Sequence, residues 1–389
     1  MLTADCLFME TARISINKHS ETLCGDYIRT FEDSSKKVIV LSDGLGSGVK
    51  ANILATLTAT ILGTMISRDL PLEECVNAVA STLPVCRVRK LAYATFTVLG
   101  LEKNHVSLVQ YDNPGAIILR DGKNLSCPTS VRFIGDKEIH ESTFDLLEND
   151  IIVLMSDGVT NSGVGKLAPN GWKTTEIVSF LESIYKPGIS AAFIAASIGN
   201  ACMTLNMNSA DDDITCFAAK MKSRLSVNIM IGPPQKQEED NQILRLFFAK
   251  EGKRIVCGGT TATAVSKYLH VPVLLTENTG SEEIPSMASI EGVDLSTEGV
   301  ITLRKVVELC GAFIQDPQLI LDVRKKRDGA SRIASMLIEE ATDINIYFGT
   351  TVNLAHTGTE IDFDAKLALI KQLHEFLEQM GKKVHLSLC

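Results

Sequence analysis

The chain has no C-x-x-C pair, although it contains ten cysteines. Zinc sites and disulfide-rich scaffolds use short, regular cysteine spacings, so the scattered positions seen here support neither kind of site. We therefore expect free thiols and a protein of the reducing cytoplasm.

The chain also lacks a surplus of basic residues and a long uninterrupted apolar run. Its formal net charge is -9, which disfavours a general nucleic-acid binder, because such proteins present a basic face to phosphates. The most apolar long segment, residues 51–67, is interrupted by threonines and is short for a membrane span. Residues 1–20 show no succession of basic, apolar and small residues. We predict neither a signal peptide nor a membrane span.

The composition is otherwise that of a folded protein with more than one core. Hydrophobic residues make up 45% of the 389 residues, which is ample for packed interiors, and a chain of this length is expected to form two domains. A polar, basic segment at residues 220–226 (KMKSRLS) marks the boundary. We predict one domain over residues 1–222 and a second over residues 226–389.

Two segments of the first part share one pattern. Residues 36–46 (KKVIVLSDGLG) and 150–159 (DIIVLMSDGV) each start with charge, continue through an apolar run, and end in Ser-Asp-Gly. Such a run, bounded by turn residues, is typical of a strand buried on both faces. Helical spacing follows at residues 48–67 and 72–81. Together with further strand-like runs, this predicts an α+β domain whose sheets are covered by helices.

The second part alternates strand-like and helix-like segments, which predicts an α/β domain with a mainly parallel sheet. Residues 256–261 (VCGGTT) join a predicted strand to a predicted helix. A glycine-rich turn at a helix N-terminus can hold a small anionic ligand through free backbone N–H groups. The pattern is neither G-x-G-x-x-G nor a Walker loop, so a simple tight connection is the competing interpretation. This half suggests a regulatory or ligand-binding domain.

Acidic residues recur next to glycines or strand starts in the first part. The positions are Gly25-Asp26, Ser42-Asp43-Gly44, Ser156-Asp157-Gly158 and the run Asp211-Asp212-Asp213 before Ile214-Thr215. Mg²⁺ and Mn²⁺ prefer oxygen ligands, and two such cations about 3.5–4 Å apart can activate a water and clamp a phosphate. A lone Asp-Gly is more often just a turn. The repetition at two apolar strands, with an acidic triplet before a third, favours a binuclear Mn²⁺ or Mg²⁺ site.

These motifs, in this order, resemble the metal-dependent Ser/Thr protein phosphatases of type 2C. The similarity runs over residues 18–219 and is greatest to the bacterial branch typified by the stage II sporulation phosphatase E (SpoIIE). It includes G-D-Y, L-S-D-G-L-G-S-G-x-K-A, L-M-S-D-G-V and D-D-D-I-T. The resemblance implies an αββα sandwich with two metal ions at one edge between the sheets.

The resemblance also implies roles for individual residues. Asp43 would bridge both metals and the Gly44 carbonyl would contribute to one, while Asp157 and Asp212 would complete the second. Asp213 would take the place of the family's asparagine, although a one-residue shift within the triplet stays open. Asp26 would act near the metals and Lys18 would hold phosphate, with a plain surface lysine as the alternative. Leu45 stands where many type 2C enzymes have a histidine that is a proposed general acid.

The implied function is hydrolysis of phosphoserine or phosphothreonine on a protein, in bacterial signalling. An anti-sigma-factor antagonist is the leading substrate hypothesis, and a homodimer is compatible with the family. Two alternatives stay open: a non-catalytic scaffold that binds a phosphoprotein or ligand, and a hydrolase of small phosphoesters.

Overall fold

The computed structural model describes residues 7–33, 35–82, 94–232, 237–276, 284–349 and 363–388. The chain divides into two units, Met1–Ser223 and Arg224–Cys389. The described strands of the first unit are β1 Leu7–Ile16, β2 Asp26–Glu32, β3 Lys36–Gly44, β4 Ala94–Glu102, β5 His105–Tyr111, β6 Ile117–Arg120, β7 Lys123–Asn124, β8 Ser130–Ile134, β9 Lys137–Asp145, β10 Ile151–Met155 and β11 Ile214–Ser223. Its helices are α1 Gly48–Ile66, α2 Leu72–Thr82, α3 Asp157–Thr160, α4 Thr174–Ile184 and α5 Ala191–Leu205.

The first unit contains two antiparallel sheets. One has the strand order β1-β11-β10-β6-β7 and the other has the order β2-β3-β4-β5-β9-β8. In the first sheet β1 pairs with β11 along its whole length, from Leu7 opposite Ser223 to Ile16 opposite Ile214. In the second, Asp26 at the start of β2 lies opposite Asp43 near the end of β3. The pairing therefore brings two acidic motifs together at one end of this sheet.

The side chains of β3 and β10 explain why both strands have continuous apolar runs. On β3, Ile39 and Leu41 belong to the core between the sheets, whereas Val38 and Val40 pack on the opposite face among residues of α1 and α2. Successive side chains of β10 alternate in the same way: they belong in turn to the core between the sheets and to the core beneath α4 and α5. The layers are thus helices, sheet, sheet and helices, and the predicted αββα sandwich is confirmed.

Helix α1 begins four residues after Gly44 and covers the second sheet. It packs against α2 and against β2, β3 and β4. In the part of the chain that the structure describes, α1 is the one helix with the length and apolar composition that a membrane span requires. Buried helices of soluble proteins meet the same criterion, and the packing of α1 on the sheet is that of a core-covering helix.

The second unit is built on one further sheet. Its strands are β12 Ser226–Ile231, β13 Lys253–Cys257, β14 Leu274–Leu275, β15 Ala288–Ser289, β16 Leu295–Thr297, β17 Asp343–Phe348 and β18 Lys383–Leu388. Its helices are α6 Gln237–Ala249, α7 Gly259–Leu269, α8 Val300–Gln315, α9 Ile320–Val323, α10 Gly329–Ser335 and α11 Phe363–Gln379, with a 3₁₀ turn at Pro317–Leu319 and a π-helical turn at Met336–Glu340.

The prediction of a mainly parallel sheet in the second unit needs correction, because the sheet is mixed. The strand order is β14-β15-β16-β13-β12-β17-β18. Strands β16, β13, β12, β17 and β18 pair in parallel, whereas β14 pairs antiparallel with β15 and β15 antiparallel with β16. The two antiparallel strands have only two residues each. Strands that short have no measurable hydrophobic period, so the sequence pattern did not reveal that they run antiparallel to their neighbours.

Candidate metal centre

Two strand ends of one sheet and two of the other bring the predicted acidic residues together. Asp26 begins β2 and Asp43 lies near the end of β3, whereas Asp157 follows β10 and Asp213 precedes β11. The β10 and β11 ends are joined by Ser156 and Thr215: the Thr215 N–H donates to Ser156 Oγ at 3.0 Å, and the Ser156 N–H donates to the Thr215 carbonyl at 3.0 Å. This pairing fixes the turn that carries Asp157 beside the turn that carries Asp213.

Glycines allow the backbones to approach closely around these turns. A Cβ on Gly44 would lie 2.0 Å from the carbonyl oxygen of Ala51 in α1, and a Cβ on Gly158 would lie 2.0 Å from the carbonyl oxygen of Asp213. Both distances are far below van der Waals contact. The glycine after each Ser-Asp is therefore required by packing, and it places α1 and β11 directly against the acidic turns.

Asp26 is a buried carboxylate with an incomplete set of partners. Its side chain is 4% exposed, and its Oδ2 atom has no hydrogen-bond partner. Burial raises the pKa of Asp26 to about 7; hydrogen bonds from Ser156 and Thr215 oppose the shift, and repulsion from nearby carboxylates adds to it. An unpaired buried carboxylate oxygen is costly unless a proton or a cation satisfies it.

The pKa of Asp43 is raised more strongly than that of Asp26. Burial raises its pKa to about 9, and repulsion by Asp26 and Asp157, together with a hydrogen bond to Asp157, adds to the shift. The pKa of Asp212 is also raised, first by burial and then by Asp157. The interactions show that carboxylates from both sheets share one environment, in which each disfavours the negative charge of the others.

The three aspartates that precede β11 have different partners. Asp213 is 4% exposed; its Oδ1 accepts the Lys18 backbone N–H at 2.9 Å and its Oδ2 has no partner. Asp212 accepts the Asp213 N–H at 3.0 Å. Asp211 instead forms an ion pair with Lys166 at 2.7 Å. The structure thus separates Asp211 from the other two.

The carboxylates converge without forming a ready-made cation cage. Within the described residues, no three Asp, Glu, His or Cys side chains are close enough together to hold one metal ion as they stand. The donor set is nevertheless all oxygen, it contains two buried and unpartnered carboxylate atoms on Asp26 and Asp213, and its members repel one another. These are properties that Mg²⁺ or Mn²⁺ would complement after rotation of a few side chains.

Some functional neighbours of these aspartates were not assigned a role from the sequence. Ser156 and Thr215 orient Asp26, and their signal was present in the Ser-Asp-Gly and Ile-Thr motifs themselves. Asn113 lies in the Asn-Pro-Gly-Ala segment of the sequence and hydrogen-bonds Thr95 and Thr97 on β4. Thr95 is paired with Asp43 in the sheet, so Asn113 supports the strand next to the candidate site.

Comparison with known proteins gives a family for this unit. Residues 33–222 match the model of the family described as Stage II sporulation protein E (SpoIIE). The matched residues all lie in the first unit. No curated protein matches the chain.

Several solved structures are similar to this chain over about half of its length. The phosphatase domain of SpoIIE from Bacillus subtilis has a TM-score of 0.45 and 14% identity, covering 56% of this chain and 94% of that chain. RsbX in complex with magnesium has a TM-score of 0.40 and 17% identity, covering 55% and 96%. The serine/threonine phosphatase of S. agalactiae has a TM-score of 0.38 and 18% identity, covering 55% and 99%.

Proposed function

We propose that the first unit is a protein phosphatase that hydrolyses phosphoserine or phosphothreonine with the aid of two divalent cations, Mn²⁺ or Mg²⁺. The observation that carries this proposal is the convergence of carboxylates from both sheets, with two of their oxygens buried and unpartnered. A cluster of buried carboxylates is unfavourable without counter-charges, and bound cations would offset the repulsion between them. The SpoIIE domain over residues 33–222 is consistent with this chemistry.

The residues proposed to hold the cations are Asp43, the Gly44 carbonyl, Asp157, Asp212 and Asp213, with Asp26 nearby. When bound, paired divalent cations supply an activated water and charge stabilisation for in-line displacement at phosphorus. The alternative position in the acidic triplet, Asp211, is less suited because Lys166 already neutralises it. We therefore favour Asp212 and Asp213 as the ligands in that segment.

Other residues of the site would position the carboxylates and attract the phosphate group. Ser156 and Thr215 hydrogen-bond Asp26 and so hold its carboxylate in place. The Lys18 backbone N–H fixes Asp213. Burial raises the pKa of Asp212, and the positive charge of the Lys18 side chain partly opposes this rise. That charge is suited to attract a phosphate group. Leu45 cannot donate a proton, so a side chain other than Leu45, or water, must protonate the leaving oxygen.

We propose that residues 226–389 form a domain that regulates the phosphatase or binds its effector. The strand order reverses between β12 and β17, and ligands of open α/β sheets bind beside such points at the carboxyl ends of the strands. The turn at Gly258 and Gly259 lies at that edge and leads into α7, with Gly258 at a φ of 114°. A small anionic ligand is the hypothesis for this turn.

For the phosphatase, the family resemblance makes a serine-phosphorylated anti-sigma-factor antagonist the first substrate to test.

The proposal is tested by measuring phosphate release from a phosphoserine peptide, para-nitrophenyl phosphate and ATP, with Mn²⁺, with Mg²⁺ and with chelator. We expect turnover of the phosphopeptide that requires metal and falls to background in Asp43→Ala. The matched control is Asp322→Ala, which removes an exposed carboxylate of the second unit and should leave turnover unchanged.

The same assay separates the alternatives. Turnover of ATP but not of the phosphopeptide would indicate a small-phosphoester hydrolase. If no phosphoester is hydrolysed with any metal, although Mn²⁺ binds, the domain is a scaffold rather than an enzyme. Activity that persists in Asp43→Ala would contradict the proposed site.

A further inference from the structure

Lys166 occupies an unusual position beside the acidic triplet. It lies in the loop of residues 161–173, between α3 and α4. Its ammonium donates to the carbonyl oxygens of Ser209 at 2.8 Å and Asn206 at 3.1 Å and forms the ion pair with Asp211 at 2.7 Å. A lysine ammonium has three hydrogens to donate, so these three acceptors satisfy it fully. Lys166 therefore binds the segment that runs directly into Asp212.

The loop that carries Lys166 is fixed independently of the lysine. The buried Asn206 accepts the Gly163 N–H at 3.0 Å and donates to Ser162 Oγ at 3.2 Å. Ser162 Oγ in turn donates to the carbonyl of Gly158 at 2.8 Å. The loop is thus connected at one side to the turn of Asp157 and at the other to the segment before Asp212.

The segment held by Lys166 contains unfavourable backbone conformations. Met207 and Asn208 have φ values of 54° and 61°, in the left-handed region that side chains other than glycine rarely adopt. Consecutive residues of this kind persist only where surrounding contacts hold them. The two carbonyl contacts made by Lys166 flank these residues, at Asn206 and Ser209.

We propose that Lys166 is a positioning residue for the metal centre of the proposed phosphatase. It holds residues 206–211 in the conformation that directs Asp212 and Asp213 toward Asp157 and Asp26, and it neutralises Asp211 so that this carboxylate does not compete for the cation. The inference rests on the proposed function only in that a divalent cation binds these carboxylates. An exposed ion pair alone would contribute little, but Lys166 is 24% exposed and two of its three bonds are to backbone.

The test is a calorimetric Mn²⁺ titration of the full chain, comparing wild type with Lys166→Met, Lys166→Arg and Asp211→Asn. We expect Lys166→Met to weaken Mn²⁺ binding by about 10-fold, the lower end of the effect of residues that orient metal ligands. Lys166→Arg retains the charge and should restore part of this loss. Asp211→Asn keeps both carbonyl contacts and should change the affinity by less than about 3-fold. Lys186→Met, at an exposed lysine, is the matched control for loss of charge.

The outcomes separate this proposal from the function. A purely structural clamp predicts that Lys166→Met lowers the melting temperature while the folded protein binds Mn²⁺ as wild type does, and that result would overturn the proposal. If wild type binds Mn²⁺ but hydrolyses no phosphoester, the phosphatase function fails while the effect of Lys166 on affinity still decides this inference. Absence of Mn²⁺ binding by the wild type would refute both.

Discussion

At the scale of single residues, the carboxylates at the candidate metal centre should reduce the stability of the metal-free protein. A carboxyl whose pKa is higher in the folded than in the unfolded chain binds more protons when folded. Its contribution therefore favours folding at low pH and is lost as the pH rises through the folded pKa. For Asp26 and Asp43 the window runs from the ordinary value of 3.8 up to about 7 and about 9.

Asp43→Asn should consequently be more stable than wild type in the absence of metal, although we expect it to lack the proposed activity. The amide cannot ionise, so it folds without the proton uptake that Asp43, whose pKa rises from 3.8 to about 9, requires at pH 8. We expect its melting temperature to exceed that of wild type by roughly 3–6 °C at pH 8, the shift that about 1–2 kcal/mol produces in a domain of this size. The difference should shrink toward pH 4, because that pH is close to the ordinary pKa of 3.8 and protonating Asp43 on folding then costs little.

Thermal melts in chelator between pH 4 and pH 9 provide this measurement. Asp121→Asn serves as the control, because Asp121 is an exposed aspartate in a turn, with a φ of 50° that asparagine tolerates. Its melting temperature should follow that of wild type at each pH. An Asp43→Asn protein that is less stable than wild type at pH 8 would contradict a raised pKa of Asp43 in the folded, metal-free protein.

At the scale of secondary-structure elements, the end of β3 and the first turns of α1 form a tight backbone contact. A Cβ on Gly44 would lie 2.0 Å from the Ala51 carbonyl oxygen, so Gly44→Ala forces β3 and α1 apart. Such overpacking typically costs about 1–3 kcal/mol, and backbone atoms cannot rotate away as a side chain could. We expect the upper end of this range, seen in urea denaturation as a lower midpoint for the first unit.

Gly115→Ala is the matched control for this substitution. A Cβ at Gly115 would meet nothing within 4 Å, and its φ is not positive. Its free energy of unfolding should change by no more than about 0.5 kcal/mol, as is usual for surface substitutions, so its urea midpoint should stay close to that of wild type. Equal midpoints for the two variants would mean that α1 adjusts easily at its N-terminus.

At the scale of the whole molecule, metal should stabilise one unit and not the other. All of the proposed ligands lie in Met1–Ser223. A ligand that binds only the folded state at 100 times its Kd adds about 2.7 kcal/mol, which corresponds to a shift of roughly 5–10 °C. Scanning calorimetry of the full chain should therefore show one transition that rises with Mn²⁺ and another that does not.

Asp43→Asn provides the control for the calorimetric experiment. In this variant neither transition should move with Mn²⁺, because the proposed bridging ligand is missing. A shift of both transitions in the wild type would indicate that metal also binds residues 224–389, or that the two units unfold together. Metal binding to residues 224–389 would contradict a metal centre confined to the first unit, whereas joint unfolding would not.

The sequence alone was sufficient to predict the strands and helices whose pattern lies within a few consecutive residues. The continuous apolar runs predicted β3 and β10, and both are confirmed as strands with side chains buried on both faces. The helical spacing predicted α1 and α2 nearly to the residue. In each case the signal lies within a few consecutive residues, because burial of a strand or helix face requires a fixed period.

Elements stabilised by distant partners were missed. Strand β1 pairs along its whole length with β11, about 200 residues away, and β8 is mostly exposed. Neither segment has a continuous apolar run like those that marked β3 and β10. Strand preference depends more on the neighbouring strands than on the residues themselves.

The sequence by itself identified which aspartates are candidates, because motif order and composition are properties of the chain. The tertiary structure decided how they differ. It places Asp26 opposite Asp43 in the sheet, and it pairs Asp211 with Lys166, 45 residues earlier in the sequence, while Asp213 is buried near Asp26. Three adjacent aspartates cannot be distinguished in the sequence, because they have the same side chain. Their charge partners and their burial depend on their positions in space, which are fixed only when both sheets and their loops have packed together.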